Sequence, residues 1–181
     1  MENAVKREIK TEAKKTLSIS DLILIAALLA AGAVLKFFVG SLVNIGGMKP
    51  NFIIAMYCLA ILLIKPRIRE SVIIGILAGA ICQLLPGSPY INLASETIGA
   101  VIMALTMLLP LTFGKFDARP LLCTLIATVA SGSVFVVCLF LFMGAEASSM
   151  VAYIPIVFFT AVINAVIVQI LYIPLKAALK K

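Results

Sequence analysis

Apolar residues fall along this chain in six long stretches, each closed by glycine, proline or charged residues. Reading the runs against their breakers predicts helix one from Asp21 to about Gly40, helix two from Asn51 to Ile64 and helix three from Ser71 to Leu85. Helix four is expected from about Ala94 to Phe113, helix five from Pro120 to Met143, and helix six from Val151 to about Leu175. The second and third are about 14 and 15 residues, roughly 21 to 23 Å, against a bilayer hydrocarbon core of about 30 Å. Both border connections rich in Gly and Pro, at Asn44 to Pro50 and at Leu85 to Glu96. Irregular backbone at membrane depth survives only where protein buries it or it lines a cavity. The two connections are therefore expected to dip inward and wall a pocket.

Composition identifies the solvent. Hydrophobic residues are 63% of the 181 and charged residues 13%, with mean hydropathy +1.19. An ordinary soluble domain has about 45–50% apolar and about 25% charged residues. The fold class is an all-α integral membrane protein, a bundle of six transmembrane helices with short loops. Two regions are expected, a polar segment over residues 1–20 and the helical domain over 21–181. The polar segment mixes Lys6, Arg7, Lys10, Lys14 and Lys15 with Glu2, Glu8 and Glu12, and it reads as a surface helix rather than a signal peptide.

Charge sets orientation. Of the fifteen Lys and Arg residues, only Lys36 and Lys49 lie on one side of this layout. The others gather in the N-terminal segment, after helix two, after helix four and at the C-terminus. That alternation is what the positive-inside rule selects, and it places both termini in the cytoplasm.

Few side chains carry candidate chemistry. His is absent and no G-x-x-x-x-G-K-[ST] run occurs, so an ATP-powered process would need another subunit for hydrolysis. No catalytic residue, cofactor, metal or nucleic-acid partner is expected. Cys58, Cys82, Cys123 and Cys138 sit in apolar runs and read as buried thiols. Lys49 follows Gly46-Gly47-Met48 and precedes Pro50, a residue suited to a first helical turn. Its ammonium would suit a substrate carboxylate or snorkel to the interface. Lys36 is expected to be the snorkelling lysine. Glu96 lies four residues after Asn92, on one face if helix four begins there, and could receive an ammonium with it; a first-turn position behind a Ser95 cap explains the same letters. Asn164, in mid-span, either bonds a neighbouring helix or faces the pocket. Ala26, Ala27, Ala30 and Ala31 form two small-x-x-x-small pairs, which permit close approach of another helix.

Together these features resemble the S component, the substrate-capturing membrane subunit of energy-coupling factor (ECF) transporters. Gly46-Gly47-Met48-Lys49-Pro50-Asn51, Pro66-Arg67, the Pro-Gly and Asn92 of the third loop, and Asn164 with Tyr172-Ile173-Pro174 are similar to its tryptophan-specific branch. The resemblance implies a pocket that takes tryptophan, using Met48, Lys49, Tyr90, Asn92, Glu96 and Asn164. It also implies that the alanine stripe docks on a transmembrane coupling subunit resting on two cytoplasmic ATPases, and that the chain itself is no enzyme. Ala94, Ser95 and Glu96 follow Leu93 without the lysine expected of that branch, which leaves open an S component for a vitamin or another aromatic compound. A small channel or membrane enzyme is the reading from a different class.

Overall fold

A computed structural model describes residues 17–42, 49–85, 90–113, 116–144 and 146–179. The N-terminal segment up to residue 16, residues 43–48 with Met48 among them, and residues 86–89 of the second Gly/Pro-rich connection lie outside the described residues. Among the described residues there are six α-helices: α1 Ile19–Leu42, α2 Ile53–Ile64, α3 Ile68–Gln83, α4 Ile91–Thr106, α5 Arg119–Met143 and α6 Ala147–Ala178.

Local chemistry moves several ends away from the sequence expectation. Helix α1 starts two residues early because Ser18 and Asp21 cap each other: the Ser18 hydroxyl donates to Asp21 Oδ2 at 2.7 Å and the Asp21 N–H donates to Ser18 Oγ at 3.2 Å. Helix α2 starts late. Asn51 Oδ1 accepts the Ile53 N–H at 3.3 Å, so Pro50 precedes the helix and does not occupy its first turn. In α3 the Glu70 carboxylate accepts the Arg67 N–H at 2.8 Å, which brings the start back to Ile68. Helix α4 begins at Ile91, behind Tyr90 in a left-handed conformation (φ 63°) whose N–H donates to Gln83 Oε1 at 2.8 Å. It ends at Thr106 rather than running to Phe113. Pro110 follows, and the chain turns through a two-residue antiparallel pair, β1 Thr112–Phe113 with β2 Phe116–Asp117. Helix α6 runs on through Pro155 and Pro174.

Helix α2 is the axis of the bundle. Every residue from Ile53 to Leu63 is buried, and α2 touches each of the other five helices. Its sequence, apolar on all sides, fits that position. Twelve residues span only about 18 Å, which is tolerable because protein rather than lipid surrounds the helix ends. Around it, α1, α5 and α6 contain stretches long and apolar enough to cross a membrane, with mean hydropathy 2.6, 2.5 and 2.4. Their outer faces carry Phe37, Phe38, Phe142, Phe158 and Phe159 exposed. The chain is thus an all-α, multi-pass membrane bundle.

In lipid the hydrophobic effect does not draw helices together; close packing and polar contacts do. Helices α3 and α4 show the first device. A Cβ on Gly75 would stand 2.6 Å from Thr97 Cα, and one on Gly79 would stand 2.7 Å from Leu93 Cα. Only glycine at both positions permits this approach, and it fixes the first turns of α4, where the polar residues lie.

Candidate functional site

The second device is a polar cluster where α2, α4, α5 and α6 meet. Glu96 lies in the second turn of α4 and is 1% exposed. One of its oxygens, Oε1, accepts a short hydrogen bond from Asn51 Nδ2. The Asn51 carbonyl in turn accepts from Asn164 Nδ2 of α6 at 3.1 Å. Asn51 therefore ties together the start of α2, the carboxylate of α4 and the amide of α6. Tyr57 of α2, fully buried, has its hydroxyl within electrostatic reach of Glu96 and Ser131. Gly99, one turn after Glu96, makes room for that hydroxyl, because a Cβ there would stand 2.2 Å from it.

The cluster is incomplete as a hydrogen-bonded network. Glu96 Oε2, Tyr57 Oη and Asn164 Oδ1 are buried without a hydrogen-bond partner among the described residues. Each such group costs about 1–3 kcal/mol when stranded. Oxygen acceptors left open at the centre of a membrane bundle are suited to a ligand that brings donors, an ammonium above all.

The predicted residues fall in different places. Asn92 and Glu96 share the buried face of α4, 4% and 1% exposed. Because α4 starts at Ile91, Ser95 is no N-cap and Glu96 lies beyond the first turn, which removes the capping explanation of these residues. Asn164 is fully buried and bonds across to Asn51, so it does join helices, yet its Oδ1 stays open. Lys49 is half-buried, with its Cβ 3.8 Å from where a Cβ on Gly40 would be. Tyr90 is 77% exposed. Met48 lies outside the described residues. Ala26, Ala27, Ala30 and Ala31 are all exposed on α1, whose buried face is formed instead by Ile25, Leu28, Leu29 and Gly32. Among the described residues the alanine stripe is therefore not used for packing.

One expectation is overturned. Lys36 does not snorkel: it is 9% exposed, on the face of α1 that packs inward, and its Nζ donates to Cys82 Sγ of α3 at 3.1 Å. Gly32 and Gly40, four residues to either side, share that face, and their missing side chains let α1 approach Ile53 and Met56 of α2 and the Pro50 carbonyl before it.

Sequence reasoning also missed Asn51 as the hub, Tyr57 and Ser131. Tyr57 carries the only hydroxyl in the apolar run of α2, and Thr124, Thr128 and Ser131 recur at helical spacing along α5, so both signals were present.

Residues 18–180 match the family described as tryptophan transporter TrpP. A probable tryptophan transport protein of Bacillus subtilis (strain 168) is 30% identical over 155 residues, covering 84% of this chain and 88% of that one. A probable tryptophan transport protein of Clostridium acetobutylicum is 29% identical over 169 residues, covering 91% and 96% respectively. No solved structure matches the chain. With the family match running nearly end to end, this chain belongs to the tryptophan transporter TrpP family.

Proposed function

We propose that this protein is the substrate-capturing subunit of an ATP-powered, ECF-type uptake transporter, and that it takes tryptophan from outside the cell. The observation that carries the reading is Glu96, buried at a four-helix junction with one carboxylate oxygen that has no hydrogen-bond partner among the described residues, in a cluster that also holds the buried Tyr57 hydroxyl and the Asn164 amide oxygen. Glu96, with Asn92 on the same face of α4, meets the substrate ammonium. Lys49, half-buried before α2, meets the carboxylate, and Met48, Tyr90 and Asn164 complete the pocket. The family to which the chain belongs supports tryptophan as the ligand.

Magnitudes support a site built on charge as well as on apolar area. Burying an indole-sized side chain, roughly 150–250 Å² at about 25 cal/mol per Å², contributes about 4–6 kcal/mol. Nanomolar binding needs about 12 kcal/mol, so the ammonium and carboxylate must contribute. Hydrolysis of ATP belongs to other subunits, since the chain has no phosphate-binding loop. The exposed alanine stripe of α1 suits a transmembrane coupling subunit resting on two cytoplasmic ATPases.

The test is tryptophan binding to the purified protein, together with copurification of partner subunits from its native membrane. The chain contains no tryptophan of its own, so the protein adds no indole emission to that of the ligand, whose change on binding is what is read. Saturable binding that falls by at least about tenfold in Glu96→Gln supports the site. Binding within about threefold of the parent in both Glu96→Gln and Lys49→Ala would sink it.

A further inference from the structure

Lys36 and Glu96 occupy the same buried region from opposite sides. Lys36 comes from α1 and reaches Cys82 of α3; Glu96 comes from α4 and reaches Asn51. Geometry brings them together: Gly79, one turn before Cys82, packs against the Asn92–Leu93 backbone one turn before Glu96, and Gly40, one turn after Lys36, packs against Pro50, the neighbour of Asn51. Neither charge is well satisfied. The described hydrogen-bond partner of the Lys36 ammonium, which has three donors, is a thiol sulfur, a weak acceptor. Glu96 Oε2 has no partner among the described residues. Taking two charges so placed out of water is unfavourable, and their mutual attraction only partly offsets it.

We propose that Lys36 and Glu96 are a buried pair of opposite charges that receives the substrate as a zwitterion, Lys36 binding its carboxylate while Glu96 binds its ammonium. This rests on the tryptophan-binding reading and deepens it: Lys49 meets the carboxylate from the outer side, and Lys36 meets it from the inner side and sets specificity. A zwitterion adds one charge of each sign and leaves the buried total unchanged. A cationic amine such as tryptamine adds an uncompensated positive charge next to Lys36. An anionic acid such as indole-3-propionate adds a negative one next to Glu96. All three ligands carry the same indole, so the pair selects on the head group alone.

The experiment titrates tryptophan, tryptamine and indole-3-propionate against the parent, Lys36→Met, Lys36→Arg and Glu96→Gln, by indole fluorescence, with thermal unfolding of each variant alongside. The parent should bind tryptophan at least about tenfold tighter than either analogue. Lys36→Met should weaken tryptophan by about tenfold or more while leaving tryptamine unchanged or tighter, and Lys36→Arg should retain the parent order. Glu96→Gln should shift preference the opposite way, toward indole-3-propionate. Equal losses of tryptophan and tryptamine in Lys36→Met would assign Lys36 a structural role and overturn the proposal. A parent that binds tryptamine as well as tryptophan would overturn it without any variant, which decides the matter even if Lys36→Met fails to fold. A folded parent that binds none of the three would instead overturn the tryptophan reading beneath it.

Discussion

Gly75 holds α3 against the turn of α4 that carries Glu96, and replacing it with alanine should damage both packing and binding. The added Cβ would stand 2.6 Å from Thr97 Cα and 2.9 Å from the Glu96 carbonyl oxygen. Carbon atoms rest about 3.5–4.0 Å apart, so α4 must retreat by about 1 Å. The obstructing atoms are backbone, and no rotamer change relieves them. Overpacking of this kind costs about 1–3 kcal/mol, whereas alanine in a helix interior gains up to about 1 kcal/mol over glycine. The clash should win, with a net loss of about 1–2 kcal/mol.

Binding should fall with it. A retreat of α4 lengthens the Asn51 to Glu96 hydrogen bond, one to a charged group and worth about 1.5–3 kcal/mol. Losing half of that corresponds to a site weaker by about three- to tenfold. The assay is thermal unfolding in detergent together with indole fluorescence titration. Gly144→Ala serves as control: its Cβ would meet nothing, and only its φ of +64° is unfavourable, so it should cost about 1 kcal/mol in stability and leave affinity unchanged. A Gly75→Ala protein that melts higher than the parent and binds equally well would refute the close-approach argument.

Three further outcomes follow from the structure. Ala26→Trp with Ala30→Trp, on an exposed face, should abolish copurification with the proposed coupling subunit while leaving tryptophan binding intact; an undisturbed complex would show that the stripe is lipid-facing. In intact cells an impermeant thiol reagent should modify Tyr90→Cys above the parent background but not Thr112→Cys, both exposed positions, and the reverse pattern would invert the bundle in the membrane. Arg119 donates to Asp117 from Nε at 2.8 Å and from Nη2 at 2.7 Å, which holds that carboxyl below its usual range. A depressed carboxyl stabilises the fold above its ordinary pKa of about 3.9, and the gain fades as pH falls through the lowered value. Arg119→Gln should therefore be less stable near neutrality by about 0–1 kcal/mol, with the deficit vanishing in strong acid; a deficit independent of pH would mean that the pair contributes nothing.

The six helices were legible because each apolar run is interrupted by residues that cannot continue it, and the errors lie where a side chain sets the end. Ser18 with Asp21 extends α1 backward by two residues, and the pair is visible in the sequence as a capping box. The early end of α4 was hidden, since Met107, Leu108 and Leu109 are as apolar as the helix before them. Lys36 was misread for a related reason. Its position along the span gives its depth in the membrane but not the face of α1 on which it lies. That face is marked by Gly32 and Gly40, each four residues from Lys36, a signal that carries meaning only once glycine is read as a place of close approach. The pairing of Asn51 with Glu96 and Asn164 joins residues 45 and 113 positions apart, and no local pattern encodes it.

That long-range pairing bears on how a membrane bundle can both hold together and bind. With lipid as solvent, the apolar side chains of α2 gain little by leaving the bilayer for the protein interior, so specificity of assembly falls to glycine contacts and to polar groups. In this chain the polar groups that join α2, α4 and α6 are also the ones left partly unsatisfied: Asn164 bonds Asn51 through its amide nitrogen and keeps its oxygen open, and Glu96 uses one carboxylate oxygen of two. A fully satisfied cluster would have packed the helices equally well and left nothing for a ligand. A cluster without these bonds would not have fixed α4 at all. The half-satisfied arrangement costs stability in the empty protein, and on the proposed reading a zwitterion supplying both donors and acceptors recovers that cost on binding, in addition to the gain from burying its indole surface.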